Sequence, residues 1–176
     1  MPISIFKKLA NIFKQTGVTA VLIGGYAVNA HKVTRHTVDI DFLIFRDDFD
    51  KVFKELEPVG YAIAHQQDAF VQLTGKGLRD IDFMLSDAET AYAMYNTGDR
   101  ITIAGELFVT PSLGNLIALK LHSIRWNPHR ELVDLPDIIL LLQANDVDIE
   151  SAEIKVLFEK YGTPELYQKA QKSFRS

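Results

Sequence analysis

Cysteine is absent from the 176-residue chain, which removes disulfides, thiolate metal sites and cysteine nucleophiles. A surplus of basic charge is missing too. Nineteen Lys and Arg stand against 23 Asp and Glu, for a formal charge of -4. That balance excludes a protein built to coat nucleic acid, since such affinity rests on neutralising phosphates, although a local basic patch stays open. There is no low-complexity tract, no internal repeat and no Pro/Gly/Ser-rich linker, so any two halves are expected to pack together. The start, "MPISIFKKLANIFK", has no long apolar core of a signal sequence and no cleavage site, which predicts a cytoplasmic protein without a membrane anchor. Neither G-x-x-x-x-G-K-[ST] nor G-x-G-x-x-G occurs, and Ser and Thr form no nucleophile elbow.

What is present is an ordinary globular composition, 47% hydrophobic and 24% charged, enough for one domain or a catalytic core with a helical annex. Residues 3–15 have apolar spacing that predicts an amphipathic helix ending at Gly17. "VTAVLI" (18–23) reads as a buried strand, followed by Gly24-Gly25 and a short helix. "VDIDFLIF" (38–45) is a second strand, and "DDFDKVFKELEPV" is a helix with Asp47 or Asp48 near its start. "YAIAHQ", "AFVQLTG" and "LRDIDFML" follow as closely spaced, antiparallel strands, then a helix over "DAETAYAMYN" and a hairpin turning at Ala104-Gly105. From Pro111 onward four helical segments succeed one another. The fold class is therefore α+β: a mixed sheet flanked by helices over 1–110, with a C-terminal helical bundle over 111–176.

Two features carry chemistry. In a strand, residues two apart share a face, so Asp39 and Asp41 project together while Val38, Ile40 and Phe42 face the other way. Adjacent carboxylates repel unless a cation lies between them, which suits a hard divalent ion such as magnesium. Asp80 and Asp82 repeat the spacing later. If the two strands are neighbours, one of the second pair completes a three-carboxylate cluster able to hold two metals. The other feature is Gly24-Gly25, which lets the backbone approach a ligand closely, with helix amides beyond to attract phosphate. Each also has a plain reading, as a solvent-facing acidic pair and as a turn.

Taken in order, "LIGGYAVNAH", "RHTVDIDFLI" and "LRDIDFML" resemble the nucleotidyltransferase superfamily of the polymerase-beta type. The later "LGNLIALKLHSIRWNPHRELVDLPDIILLL" is similar to a segment of bacterial members related to toxins of type IV toxin–antitoxin, abortive-infection systems. The resemblance covers residues 18–143. It implies that Gly24 and Gly25 bind nucleotide phosphates, that Asp39, Asp41 and Asp82 hold two magnesium ions, and that Asp82 is a general base. It further implies that Lys120 neutralises triphosphate charge and that Asp134 joins the nucleotide site, although Val133 stands where the family often has lysine. Arg35 and Thr37, just ahead of the first acids, are candidate phosphate contacts or loop stabilisers. Lys120 and Asp134 are equally compatible with amphipathic and surface positions.

The implied reaction moves a nucleoside monophosphate from a nucleoside triphosphate to an acceptor hydroxyl on tRNA, another RNA end or a protein, with a cognate antitoxin as partner. Two alternatives stay open: the same chemistry on a small molecule such as an aminoglycoside, or a silent member of the fold that binds nucleotide or protein.

Overall fold

A computed structural model describes residues 4–175. The chain divides into two compact units, one comprising residues 1–27 and 36–111 and the other residues 28–35 and 112–176.

The first unit is built on a seven-stranded sheet of order β3-β4-β5-β2-β1-β7-β6, whose strands are β1 (Ala20–Leu22), β2 (Ile40–Phe45), β3 (Ala62–Gln67), β4 (Phe70–Thr74), β5 (Ile81–Ser86), β6 (Asp99–Ile103) and β7 (Glu106–Thr110). β3, β4 and β5 form an antiparallel meander, as their spacing predicts. β5 then lies parallel to β2, a pairing between strands distant in sequence that only the folded chain brings about. β1 runs antiparallel to β2 and parallel to β7.

One face of this sheet is dry. Helix α1 (Ile5–Thr16) contributes Phe6, Leu9, Ile12 and Phe13, and helix α3 (Phe49–Leu56) contributes Phe49, Val52 and Leu56, to a core with Ile40, Phe42, Ile81, Phe83 and Phe108. Ile3, the first residue of the helix expected from the sequence, lies outside the described residues. α1 stops at Gly17, whose φ of +69° is a conformation that glycine adopts without strain. Phe42 is fully buried, with Phe13 edge-on at 4.9 Å and Phe83 stacked at 6.1 Å. Burial of each such ring is worth about 1.5–3 kcal/mol. On the opposite face helix α4 (Ala88–Thr97), capped by Asp87, lays Tyr92 against Phe45. The β6–β7 hairpin turns through Ala104 and Gly105, both at positive φ (51° and 80°), the backbone of a primed two-residue turn.

One local expectation is corrected. β2 begins at Ile40 rather than Val38, because its ladder with β5 opens at the pair Ile40–Ile81. Val38 therefore has no strand to lie on and is 56% exposed instead of facing the core. Asp48 stands at the N-cap position of α3, near the helix start as expected, but makes no side-chain capping bond: it is buried and its carboxylate accepts from Lys51 at 2.6 Å.

The second unit packs α5 (Leu113–Trp126), α6 (Glu131–Ala144), α7 (Ala152–Tyr161) and α8 (Pro164–Phe174). Ser112, Ser151 and Thr163 cap three of them through hydroxyls that accept from amides three residues on. Leu116, Leu121, Ile138, Leu141, Leu142, Ile154 and Phe158 are buried. The unit also takes in residues 28–35, which begin in helix α2 (Gly24–Ala30) and include buried Val28 and Val33. Asn145 donates to the carbonyl of His31 at 2.9 Å. The Asn29 side chain donates to the carbonyl of Arg35 at 2.9 Å and accepts from its amide at 2.8 Å. Two residues near the ends of this short stretch, Asn29 and Arg35, are thereby tied to each other, and His31 between them to Asn145.

Candidate functional site

In the first unit the acids converge on the face of the sheet opposite the aromatic core. The β2–β5 ladder sets Asp41 directly beside Asp82. Neighbouring strands lie about 4.8 Å apart, and paired residues on them point the same way. Gln72 of β4 is the partner of Asp82 on its other side. Asp39 sits one residue ahead of β2 and is exposed. Asp80 precedes β5, and its backbone carbonyl accepts from the amide of Ile40 at 3.1 Å.

The two glycines lie on this acidic segment. As the chain leaves β1 the amide of Ile23 donates to the carbonyl of Asp41 at 2.8 Å, and Gly24 turns with φ +63°. A Cβ on Gly24 would fall 2.1 Å from Asp41 Oδ2 and 2.9 Å from its Cβ. A Cβ on Gly25 would fall 2.6 Å from both Cβ and Oγ1 of Thr37. Close approach is thus a property of the turn toward its own carboxylate and threonine. Gly24→Ala is expected to cost about 2 kcal/mol, combining left-handed strain with the overlap; a melting temperature within experimental error of the parent would show that the turn has slack.

Burial, above all, and then the charge of Asp41 push the Asp82 carboxyl up to about 6; a hydrogen bond from Gln72 pulls it down, and Asp39 and Asp80 push it further up. Its Oδ1 is buried with no hydrogen-bond partner. Because the folded protein then holds a proton that the unfolded chain releases near pH 4, stability conferred by the protonated form falls as pH rises from about 4 to 6. The loss is about 1–2 kcal/mol, reduced from the full shift because water reaches part of the group. Urea titrations in chelator across that window, with Asp82→Asn flat where the parent declines, test the assignment.

An orphaned carboxylate oxygen among like charges fits a hard cation, and oxygen-only donors are the set that magnesium takes. Among the described residues no three His, Cys, Asp or Glu side chains stand together as a ready cluster. Asp41 and Asp82 are the in-register pair that would hold such an ion, and Asp39 in the preceding bend is the third candidate.

The other predicted residues belong to the second unit. Lys120 of α5 is 5% exposed, and its Nζ donates to Asp134 Oδ1 at 2.9 Å and to Asp137 Oδ2 at 2.7 Å. Asp134 also accepts from Arg130 Nε at 3.0 Å and Nη2 at 3.1 Å. Burial raises its carboxyl, but Lys120 and Arg130 outweigh that and leave it below the usual carboxylate range. Arg35 Nη1 donates to Asp137 Oδ2. Gln72, Asn29 and Asp137 were not among the residues singled out from sequence. Asp137 had a signal, since Asp134 and Asp137 are three apart on one helix and so share a face.

A family model for the nucleotidyl transferase AbiEii toxin of type IV toxin–antitoxin systems matches residues 9–176. The chain belongs to this AbiEii family, and it is a nucleotidyltransferase. No curated protein sequence matches it. Among solved structures, the antibiotic-resistance factor ANT(2'')-Ia superposes with a TM-score of 0.66 at 15% identity, covering 97% of this chain and 95% of the other. The lincomycin-bound lincosamide antibiotic adenylyltransferase LnuA gives 0.56 at 18% identity, covering 82% and 99%. An antigenic nucleotidyltransferase-like protein from Paracoccidioides brasiliensis gives 0.52 at 19% identity, covering 97% and 95%. Likeness at these identities establishes the shared α+β nucleotidyltransferase fold. Among the described residues of this AbiEii-family chain no helix is long and apolar enough to cross a membrane.

Proposed function

We propose that this nucleotidyltransferase moves a nucleoside monophosphate from a nucleoside triphosphate to an acceptor hydroxyl on RNA or protein, with Asp39, Asp41 and Asp82 as the residues that would hold magnesium. The observation that carries the reading is the in-register pair of Asp41 and Asp82, with Gly24 packed against Asp41. When bound, a pair of magnesium ions supplies charge neutralisation at the α-phosphate and the leaving pyrophosphate.

The chain's own groups do the rest. Asp82 is the general base that would accept the proton of the acceptor hydroxyl. The acceptor oxygen bonds to the α-phosphorus as the bond to the β-phosphate oxygen breaks, and pyrophosphate leaves. Gly24 and Gly25 allow the phosphates close to the backbone. Arg35 and Thr37, four and two residues ahead of Asp39, donate to phosphate oxygens. Lys120, joined to Asp134 in one ion pair, is the lysine that would neutralise triphosphate charge. The family assignment brings a cognate antitoxin as the expected partner.

A second reading, a cationic small-molecule acceptor, is favoured by one observation: the charges of Asp41, Asp39 and Asp80 all bear on the carboxyl of Asp82, and such a field attracts cations. ANT(2'')-Ia, which shares the fold, is known in complex with adenylyl-2''-tobramycin. One assay separates the readings. Each α-labelled triphosphate is incubated with magnesium and, separately, tRNA, protein extract or aminoglycosides. Label in RNA or protein supports the first reading, label in aminoglycoside the second, and magnesium-independent label would overturn both.

A further inference from the structure

Strand β4 lies in none of the stretches that carry the family resemblance, yet it borders the acids. Along it Val71 and Leu73 are fully buried on the aromatic side, while Phe70, Gln72 and Thr74 are half-buried on the other. The β4–β5 register sets Gln72 opposite Asp82, and the β2–β5 register sets Asp41 on the far side of Asp82. A carboxamide and two carboxylates thus stand in one row across three adjacent strands, with neighbours about 4.8 Å apart. The Gln72 side chain donates to the Asp82 carboxyl and counters the push that burial and the neighbouring acids exert on it.

The kind of side chain matters here. A lysine or arginine at this position would hold Asp82 more tightly, but its charge would occupy the carboxylate in place of a metal ion. A glutamate would add a further negative charge to a row already under repulsion and has no proton to donate when ionised. An apolar residue would leave the carboxyl free to turn about its last torsion, which is broad for aspartate. A primary amide supplies N–H donors without net charge. It fixes the plane of the Asp82 carboxyl and leaves Oδ1, buried without a partner, for a ligand. We propose that Gln72 is a positioning residue that holds the Asp82 carboxylate in the orientation from which it binds a divalent cation and takes the proton of the acceptor hydroxyl. This rests on the reading of Asp82 as a cation holder and general base.

The test is thermal melting of the full chain in chelator and across a magnesium titration, for the parent, Gln72→Met, Gln72→His, Asp82→Asn and the double variant Gln72→Met/Asp82→Asn. Transfer from α-labelled triphosphate is followed alongside, in the acceptor fraction that the parent labels, at about pH 8, where an introduced imidazole is neutral. Gln72→Met keeps the length of the side chain and loses its N–H. It is expected to melt near the parent in chelator, yet to need about ten- to hundredfold more magnesium for the same stabilisation, the scale on which outer partners of metal ligands act. Its kcat falls by about the same factor while KM for the triphosphate stays within about threefold, since Gln72 is not placed on the phosphates. Gln72→His, whose ring N–H has similar reach, restores part of both. The double variant transfers no more slowly than Asp82→Asn alone, because a residue that acts through Asp82 then has nothing to act on. Gln72→Thr, a strand former too short to reach, is expected to behave as Gln72→Met and serves if that variant does not fold. An unchanged magnesium requirement in Gln72→Met, or a multiplicative loss in the double variant, would overturn the proposal. Where the parent labels no fraction, the magnesium titration alone decides. If Asp82→Asn loses its magnesium response while Gln72→Met keeps it, this inference fails alone; if Asp82→Asn responds as the parent does, the reading of Asp82 fails and takes this inference with it.

Discussion

Asp41→Asn is expected to lower nucleotidyl transfer by about 10³-fold, the scale seen when one charge-stabilising group is removed from a reacting centre. The substitution keeps the shape of the side chain and removes the charge that faces Asp82 across the β2–β5 ladder. It therefore also relieves a repulsion, since Asp41 is the strongest charge raising the Asp82 carboxyl. Loss of activity should accordingly come with an equal or higher melting temperature in chelator, the reverse of what a folding defect gives. The parent should also gain stability on adding magnesium, in proportion to the logarithm of ion concentration over its dissociation constant, and Asp41→Asn should gain much less. Transfer within tenfold of the parent, or the same magnesium-dependent rise in both proteins, would remove Asp41 from the cation site.

The largest loss of stability is expected from Lys120→Ala. Deleting the ammonium leaves two acids, Asp134 and Asp137, with side chains 2% and 7% exposed and no buried cation between them. Breaking such an arrangement on one side costs about 3–5 kcal/mol, a drop of roughly 10 °C for a chain of this size. Arg130→Ala should cost no more than about 1 kcal/mol, because that arginine is half exposed and screened by water. The pH dependence has a definite sign. The Asp134 carboxyl is depressed in the folded state, so its contribution is present above the ordinary carboxylate range and disappears as acid protonates it. Lys120→Ala should therefore flatten the acid limb of the unfolding curve. A loss under 1 kcal/mol would mean that the carboxylates find water or protons at little cost.

Strand and helix positions follow local periodicity: the alternation of Ile40, Phe42 and Ile44 toward one face, the stripe of Phe6, Leu9 and Phe13, and the capping serines all act within a few residues. The acids of "DIDF" were conspicuous because a charge among apolar strand residues needs a reason. That β2 and β5 lie side by side and parallel was not legible, since it depends on pairing across about 40 residues, and so the partnership of Asp41 with Asp82 could only be posed as a condition. The place of Val38 was misjudged for the same reason: a strand begins where its neighbour begins. Lys120 is a cation on an apolar helix, but nothing local shows that two acids of another helix enclose it. Gln72 looked like any polar residue of a half-exposed strand until the register set it beside Asp82.

The eight residues 28–35 belong with the helices of the second unit although about 75 residues of sheet and hairpin separate them from α5. During synthesis they emerge early and wait. Translation proceeds at about 5–20 residues per second, so for several seconds Val28 and Val33 have no helical bundle to enter, while the sheet already has every strand it needs by Thr110. The helical unit, in contrast, closes only after the last helix has left the ribosome. A nascent chain arrested near Pro111 would thus carry a complete sheet bearing all four acids and an unfinished strap, and the carboxylates would be in register before the Arg35 anchor exists.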